Sequence, residues 1–353
     1  KNYSGFGVAV QAYQKRAPAV LDWLYAQTQM QDVRITVRLV KGAYWDTEIK
    51  RAQERGLSGY PVYTRKEATD IAYLACAKKL LGWRDHIFPQ FGTHNLRTVL
   101  SIKAMAERNG AGIDKDYEFQ RLYGMGQDLH DKMLDEGVPS CVYAPVGAHK
   151  ELLSYLIRRL LENSANTSFV NQLHHPEMDV GDLTADPLQA WEDAAIKTHP
   201  AIPLPLHIFG DERHNSLGIN LHDSSVTASI AASLKAAKSQ SWQAFSVIDG
   251  KKQRDSLARE ITSPANSYHK VGDCVDAIPT HINEAMQVLD AAFLSWSTKP
   301  VNERCMPIDR LANKLEDARD ELISLLCYEG GKTIADAIGE IRETVDYCRY
   351  YAA

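Results

Sequence analysis

The sequence predicts an α/β protein: the later part of a (β/α)8 barrel, then a connector and a mainly helical region. Three observations carry this. Short β-rich runs alternate with helical stretches five times in the first half, the pattern of a parallel sheet with helical crossovers. These strands carry polar residues at alternate positions, as the inner face of a barrel does around a site, whereas open-sheet strands read as continuous apolar runs. No GxGxxG turn follows any of them, which weakens a doubly wound dinucleotide-binding alternative.

The units follow in order. "FGVAVQAY" (6–13) leads into the helical "APAVLDWLYAQTQ", and "RITVRLVKGAYW" (34–45) precedes the helical "KEATDIAYLACAKKLL" (66–81). "IFPQFGTHN" (87–95) precedes "LRTVLSIKAMAER", and "YEFQRLYGM" (117–125) precedes "GQDLHDKMLDEG". "CVYAPVG" (141–147) runs into the helix "YLIRRLLENSAN". Five units form the later part of an eight-unit barrel, placed at residues 1–170. From 171 to 262 a proline-rich connector and one Ala/Ser-rich helix form an inter-domain segment. From 263 to 353 apolar residues recur at three- and four-residue spacing, which predicts a nearly all-helical region.

With 353 residues and 44% apolar side chains, two domains with real cores are affordable. A net charge of −5 and a pI near 6.2 give no support for nucleic-acid binding. Six scattered cysteines form no CxxC pair and have no His at zinc spacing, so no metal site is expected. The thiols read as reduced, cytoplasmic residues. Neither a signal peptide nor an apolar run of about 18 residues is found. Both ends look cut, so the chain reads as a segment of a longer protein.

In "RITVRLVKGAYW" a period of two puts Arg34, Thr36, Arg38, Val40 and Gly42 on one face. Arg38 is a mid-strand cation aimed at a barrel mouth. It serves either an ion pair with a carboxylate on the next strand or an anionic, electron-accepting ligand. Gly42 lets a ligand approach the backbone, and Tyr44 and Trp45 form aromatic walls at the strand's C-terminal end. Thr93, His94 and Asn95 close another strand, where a histidine is either structural or catalytic. Gln11 is an amide in an apolar strand and needs a partner. Tyr143 belongs to a core or to a pocket.

Arg158 and Arg159 pose a burial problem, because adjacent helical residues point about 100° apart. Glu162 lies within reach of both. It either neutralises them on a wet surface or leaves a net positive fork suited to a carboxylate ligand, with Tyr155 on the same side.

"RLVKGAYWD", "YEFQRLYGMG", "YAPVG" and "YLIRRLLENSANTSFV" closely resemble the proline dehydrogenase domain of the bifunctional proline utilization A family. "YEGGKTIADAIGEIRETVDYCRYYA" resembles the helical start of that family's aldehyde dehydrogenase domain, which acts on glutamate semialdehyde. The resemblance covers essentially the whole chain.

It implies an FAD-containing barrel that oxidises L-proline to pyrroline-5-carboxylate. Arg158 and Arg159 then bind the proline carboxylate, and Tyr155, Tyr44 and Tyr143 shape the pocket. Arg38 and Tyr143 are the catalytic candidates, with Arg38 beside the flavin ring. Gln11, Arg38, Val40, Gly42, Trp45, Thr64, Lys66, His94, Asn95 and Glu162 contact FAD. The parent enzyme passes electrons to membrane quinone and uses NAD in its second domain. The implied setting is cytoplasmic and peripheral at the inner membrane, and a homo-oligomer fits it.

Departures from the family pattern matter. The family's first three strands, with a lysine and an aspartate of the site, would precede Lys1. Its nucleophilic cysteine and NAD-binding sheet would follow Ala353. Ser164 stands where a glycine is common. The expectation is an active parent and an inactive isolated segment, which proline-dependent dye reduction by the segment would refute. The competing classes are a non-catalytic scaffold segment, which would be colourless, and a phosphate- or sugar-handling barrel. The latter calls for glycine-rich turns after the last strands, of which "YAPVGAHKELL" is a poor version.

Overall fold

The computed structural model describes residues 5–112, 116–164 and 186–353, with 158–164 described as backbone. Its contacts divide into two units: Lys1–Lys50 with Tyr60–Ile202, and Arg51–Gly59 with Pro203–Ala353. The expected boundary at 170/171 lies outside the described residues.

The first unit runs β1 (Gly7–Gln11), α1 (Ala17–Gln31), β2 (Ile35–Val40), α2 (Trp45–Glu54), α3 (Lys66–Gly82), β3 (Ile87–Gly92) and α4 (Leu96–Arg108). β4 (Glu118–Leu122), α5 (Gln127–Asp135), β5 (Ser140–Tyr143), α6 (His149–Ser164) and α7 (Pro187–Asp193) complete it. The strands form one parallel sheet in the order β1-β2-β3-β4-β5. This sequential order settles the architecture. Parallel connections are right-handed, so strands laid down in one direction send every helix to the same face. A doubly wound sheet needs a reversal of order, and a barrel does not.

Burial follows from that geometry. Val10, Val37, Leu39, Ile87, Phe91 and Phe119 point to the helices and are buried there with Leu21, Leu80, Ile102 and Met133. Each fully buried aliphatic or aromatic side chain contributes about 1.5–3 kcal/mol. Phe91, Tyr117 and Phe119 pack ring against ring with centroids 5.9 to 6.0 Å apart. The buried Tyr73 hydroxyl of α3 donates to the carbonyls of Leu39 and Gly92, strapping β2 to β3.

Helix ends have local causes. Proline at the start of α1 costs no hydrogen bond there. Asp32 ends that helix in the left-handed conformation, its N–H returning to Thr28 and Gln29. Asn95 caps α4 by accepting the Thr98 N–H at 2.9 Å.

The second unit contains α8 (Ser224–Ala237), β6 (Trp242–Phe245), the β7–β8 hairpin (Val247–Ile248, Lys251–Lys252), β9 (Ala258–Ser263) and β10 (Asn266–Val275). α9 (Pro279–Ser297), α10 (Val301–Asp317), α11 (Arg319–Glu329) and α12 (Ile334–Ala352) follow. Ile230, Ala312, Ile323, Ala337, Ile338, Ile341 and Val345 form its core.

The sheet β6-β10-β9 runs through the end of the expected connector and the start of the region expected to be nearly all helical. β10 pairs antiparallel with β9 around Ser263 and Asn266, and parallel with β6. Of the sixteen residues in β9 and β10, only Ser263, Val271 and Gly272 are buried. Strands that bury so little carry no alternating apolar signal. The "SPAN" turn was the legible clue. Gly272 is obligatory at this site, because a Cβ there would lie 2.1 Å from the Trp242 carbonyl oxygen.

Among the described residues, no helix is long and apolar enough to cross a membrane.

Candidate active site

The face of the parallel sheet opposite the helices is polar. Register aligns Ala9 with Arg38, Arg38 with Gln90, and Gln90 with Glu118 in one row. The next row toward the strands' C-terminal ends aligns Gln11 with Val40, and Gly92 with Gln120 and Cys141. Barrel active sites lie at these strand ends.

Arg38 stands where a period of two put it, half-buried on this face. Its guanidinium carbon lies 5.2 Å from the ring centroid of Tyr143, a cation–π contact of about 0.5–1 kcal/mol at a partly exposed site. Tyr143 in turn lies 6.5 Å from Tyr155 of α6, ring to ring. Three expected site residues are thus brought together. Among the described residues no carboxylate lies within ion-pairing distance of Arg38. Glu118 would be the candidate, but Gln90 separates the two in the row. Glu118 instead accepts from Gln90 Nε2 at 2.7 Å and from Gln120 Nε2 at 2.9 Å.

A second group forms at the ends of β1 and β2. The Gln11 amide finds its partner: its Oε1 accepts the Ala43 N–H at 3.0 Å. Trp45 Nε1 donates to the Tyr63 carbonyl at 2.8 Å. Gly42 does accept a close approach, but from the chain itself. A Cβ there would sit 2.4 Å from the Tyr13 ring. Burial pushes the Tyr13 phenol up from its ordinary value, with Glu48 adding to the rise. The Tyr13 hydroxyl is buried without a partner among the described residues. Lys41, on the opposite face of β2, pairs with Asp70. Burial lowers its ammonium pKa, Asp70 opposes that shift, and Lys66 at the start of α3 adds to it. Thr64 Oγ1 accepts the His199 N–H at 3.2 Å. Tyr44 is 43% exposed.

Two histidines lie at the end of β3. His94 Nε2 accepts the Leu122 N–H at 2.9 Å, so the neutral ring carries its proton on Nδ1. His130 of α5 is buried, with Nε2 3.0 Å from the Thr93 carbonyl and Nδ1 2.6 Å from Ser140 Oγ. A carbonyl only accepts, so His130 carries the opposite tautomer and takes the Ser140 proton at Nδ1. Burial pulls its pKa down, against the Thr93 carbonyl. Asn95 spends its Oδ1 on the α4 cap, accepting both the Thr98 N–H and its hydroxyl.

Arg158, Arg159 and Glu162 fall on α6, but their side chains lie outside the described residues. Sequence reasoning passed over Gln90, Glu118, Gln120 and His130. The first three were visible as the polar alternation of "FPQFG" and "YEFQRL". Among the described residues no cluster of His, Cys, Asp and Glu could hold a metal ion.

Comparison with known proteins agrees with this geometry. Residues 1–172 match the proline dehydrogenase family, and residues 251–353 match the aldehyde dehydrogenase family. The "Bifunctional protein PutA" of Salmonella typhimurium is 42% identical over 99% of this chain, and that of Escherichia coli 41%. The crystal structure of a mutant of Bradyrhizobium japonicum proline utilization A superposes with a TM-score of 0.82 at 42% identity, covering 100% of this chain and 32% of that one. The Bdellovibrio bacteriovorus protein, inactivated by N-propargylglycine, gives 0.85 at 32% identity over 99% of this chain and 36% of its own.

Fold and site therefore define a proline dehydrogenase barrel segment joined in one polypeptide to an aldehyde dehydrogenase segment. The chain belongs to the proline utilization A family. It spans 27% of the length of the Salmonella and Escherichia relatives.

Proposed function

We propose that this segment carries the flavin- and proline-binding end of a proline dehydrogenase barrel, in a protein that oxidises L-proline to pyrroline-5-carboxylate. The observation that carries the reading is Arg38: a cation on the inner sheet face, held against Tyr143 and lacking a carboxylate partner among the described residues. A fixed positive charge of this kind suits an electron-accepting ring.

The residues present fit FAD. Gln120 Oε1 is a buried acceptor without a partner among the described residues, and Arg38 supplies positive charge on the same sheet face. Gln11, Val40, Gly42, Trp45, Thr64, Lys66, His94, Asn95 and Glu162 are the further candidates to hold it. When bound, FAD supplies the two-electron acceptor for proline oxidation. The chain's own residues bind, orient and exclude water. Arg158 and Arg159, from α6, hold the substrate carboxylate as a fork. Tyr155, Tyr143 and Tyr44 wall the pocket, and Arg38 favours negative charge on the ring. Gly42 packed on Tyr13, and Asn95 through its cap, also fix the loops at the strand ends.

In the same reading, the C-terminal segment begins an NAD-dependent dehydrogenase for glutamate semialdehyde. Membrane quinone is the electron acceptor, in a cytoplasmic homo-oligomer that associates peripherally with the inner membrane.

The test is direct. The purified protein is examined for flavin absorbance, and the full reading frame for proline-dependent dye reduction. A full reading frame that neither retains FAD nor reduces dye with proline would sink the proposal. In that protein, Arg158→Met and Arg159→Met each raise the proline Michaelis constant about tenfold or more, because a bidentate contact is lost. Unchanged saturation in both removes the fork from the mechanism.

A further inference from the structure

We propose that Glu118 is a positioning residue that sets the hydrogen-bonding polarity of the inner sheet face. Its carboxylate fixes the amides of Gln90 and Gln120, so that Gln120 offers its oxygen to an N–H donor on the ligand. The naming of that ligand as FAD rests on the function proposed above; the amide clamp does not.

The three residues meet through register. Gln90 and Glu118 are direct cross-strand partners of β3 and β4, and Gln120 follows Glu118 by two on the same face. One carboxylate oxygen, Oε1, takes both amide nitrogens, at 2.7 Å from Gln90 and 2.9 Å from Gln120. The other, Oε2, takes the Cys141 thiol at 3.4 Å. Every donor to Glu118 here is neutral.

The chemistry then dictates which way the amides point. A carboxylate accepts and does not donate, whereas a glutamine amide has one accepting and one donating end. Both amides must therefore turn nitrogen toward Glu118. For Gln120 this leaves Oε1 on the far side, buried and unpartnered among the described residues. Buried polar atoms are almost always paired, so this oxygen marks a place for a donor from outside the chain. Of its two cross-strand neighbours, Gly92 has no side chain to supply one and Cys141 turns its thiol to Glu118. A flavin ring carries a single imide N–H, which is the chemistry this acceptor selects.

Glu118 also explains why Arg38 stays unneutralised. Gln90 stands between the two charges in the row and occupies the carboxylate with a neutral donor.

The experiment uses the isotope-labelled chain with Glu118→Ala, the isosteric Glu118→Gln, and Gln120→Met. Backbone amide dispersion and melting temperature report the fold. Side-chain amide signals of Gln90 and Gln120 report the clamp, and fluorescence quenching reports FAD affinity. In Glu118→Ala, both amide signals shift and exchange with solvent about tenfold faster. FAD binds about tenfold more weakly to Glu118→Ala and Gln120→Met, with Glu118→Gln between them and the wild type, because a neutral amide no longer enforces one orientation. Unmoved amide signals in folded Glu118→Ala or Glu118→Gln overturn the clamp. FAD affinities within twofold of wild type in both Glu118→Ala and Gln120→Met overturn the ligand step. A wild-type chain without FAD affinity whose amides are released in Glu118→Ala removes the flavin reading while upholding the clamp.

Discussion

The two faces of the five-stranded sheet could hardly differ more, although they alternate residue by residue along the same strands. One face presents Val37, Leu39, Ile87, Phe91 and Phe119 to the helices and is closed to water. The other presents Arg38, Gln90, Glu118 and Gln120, half-buried and hydrogen-bonded to one another or stacked on Tyr143. A sheet whose helices all lie on one side has only one face to spend on stability. The other is free to hold polar groups.

Neighbouring substitutions in β2 break the contrast most sharply. Leu39→Ala removes a fully buried side chain from the helix-facing core. It should cost about 2–5 kcal/mol in denaturant unfolding. A loss below about 1 kcal/mol would mean that this face is not the core. Gly42→Ala, at the end of the same strand, drives a methyl group into the Tyr13 ring. Overpacking of this kind costs about 1–3 kcal/mol, and an unchanged melting temperature would show that the ring moves aside.

His130, buried beside Phe119 and held by Thr93 and Ser140, sharpens the comparison through pH. Its folded-state pKa lies below the unfolded value, chiefly through burial, with Arg121 adding to the fall and Asp131 opposing it. The unfolded chain therefore takes up the proton first. His130 contributes its full stability above an unfolded pKa of about 6.5, and loses it as pH falls through the folded pKa. His130→Gln should flatten the acid side of the stability profile as pH falls below about 6.5. An acid limb identical to wild type would remove His130 as its source.

The smallest change in stability is expected at Arg38. Arg38→Met gives up the contact with Tyr143, about 0.5–1 kcal/mol, while FAD retention falls and the flavin potential shifts. Stability loss as large as that of Leu39→Ala, or an unaltered flavin, would place Arg38 among the structural residues.

Much of this was legible beforehand, and unevenly. The five β/α units and the side of β2 that carries Arg38 follow from strand periodicity, because a period of two admits only two faces. The region from 263 onward reads as nearly all helical, and the pattern does not reveal β9 and β10 at its start. Their side chains are mostly exposed, so burial left no imprint on the sequence pattern. The sequence predicts a close approach to the backbone at Gly42, and does not tell that the ring of Tyr13, twenty-nine positions earlier, lies against it. Glu118 went unnoticed because a lone carboxylate in a strand carries no sign of whether a cation or an amide answers it.

The amino-acid order alone determined the alternation of strands and helices, the apolar and polar faces, and the family motifs. These are local, being set by backbone periodicity and by residues close in the chain. Only the tertiary structure decided that Gln90 stands between Arg38 and Glu118, that Tyr143 takes the arginine, and that the two histidines hold opposite tautomers. Those outcomes depend on inter-strand register, where partners are chosen by hydrogen-bond geometry between segments tens of residues apart.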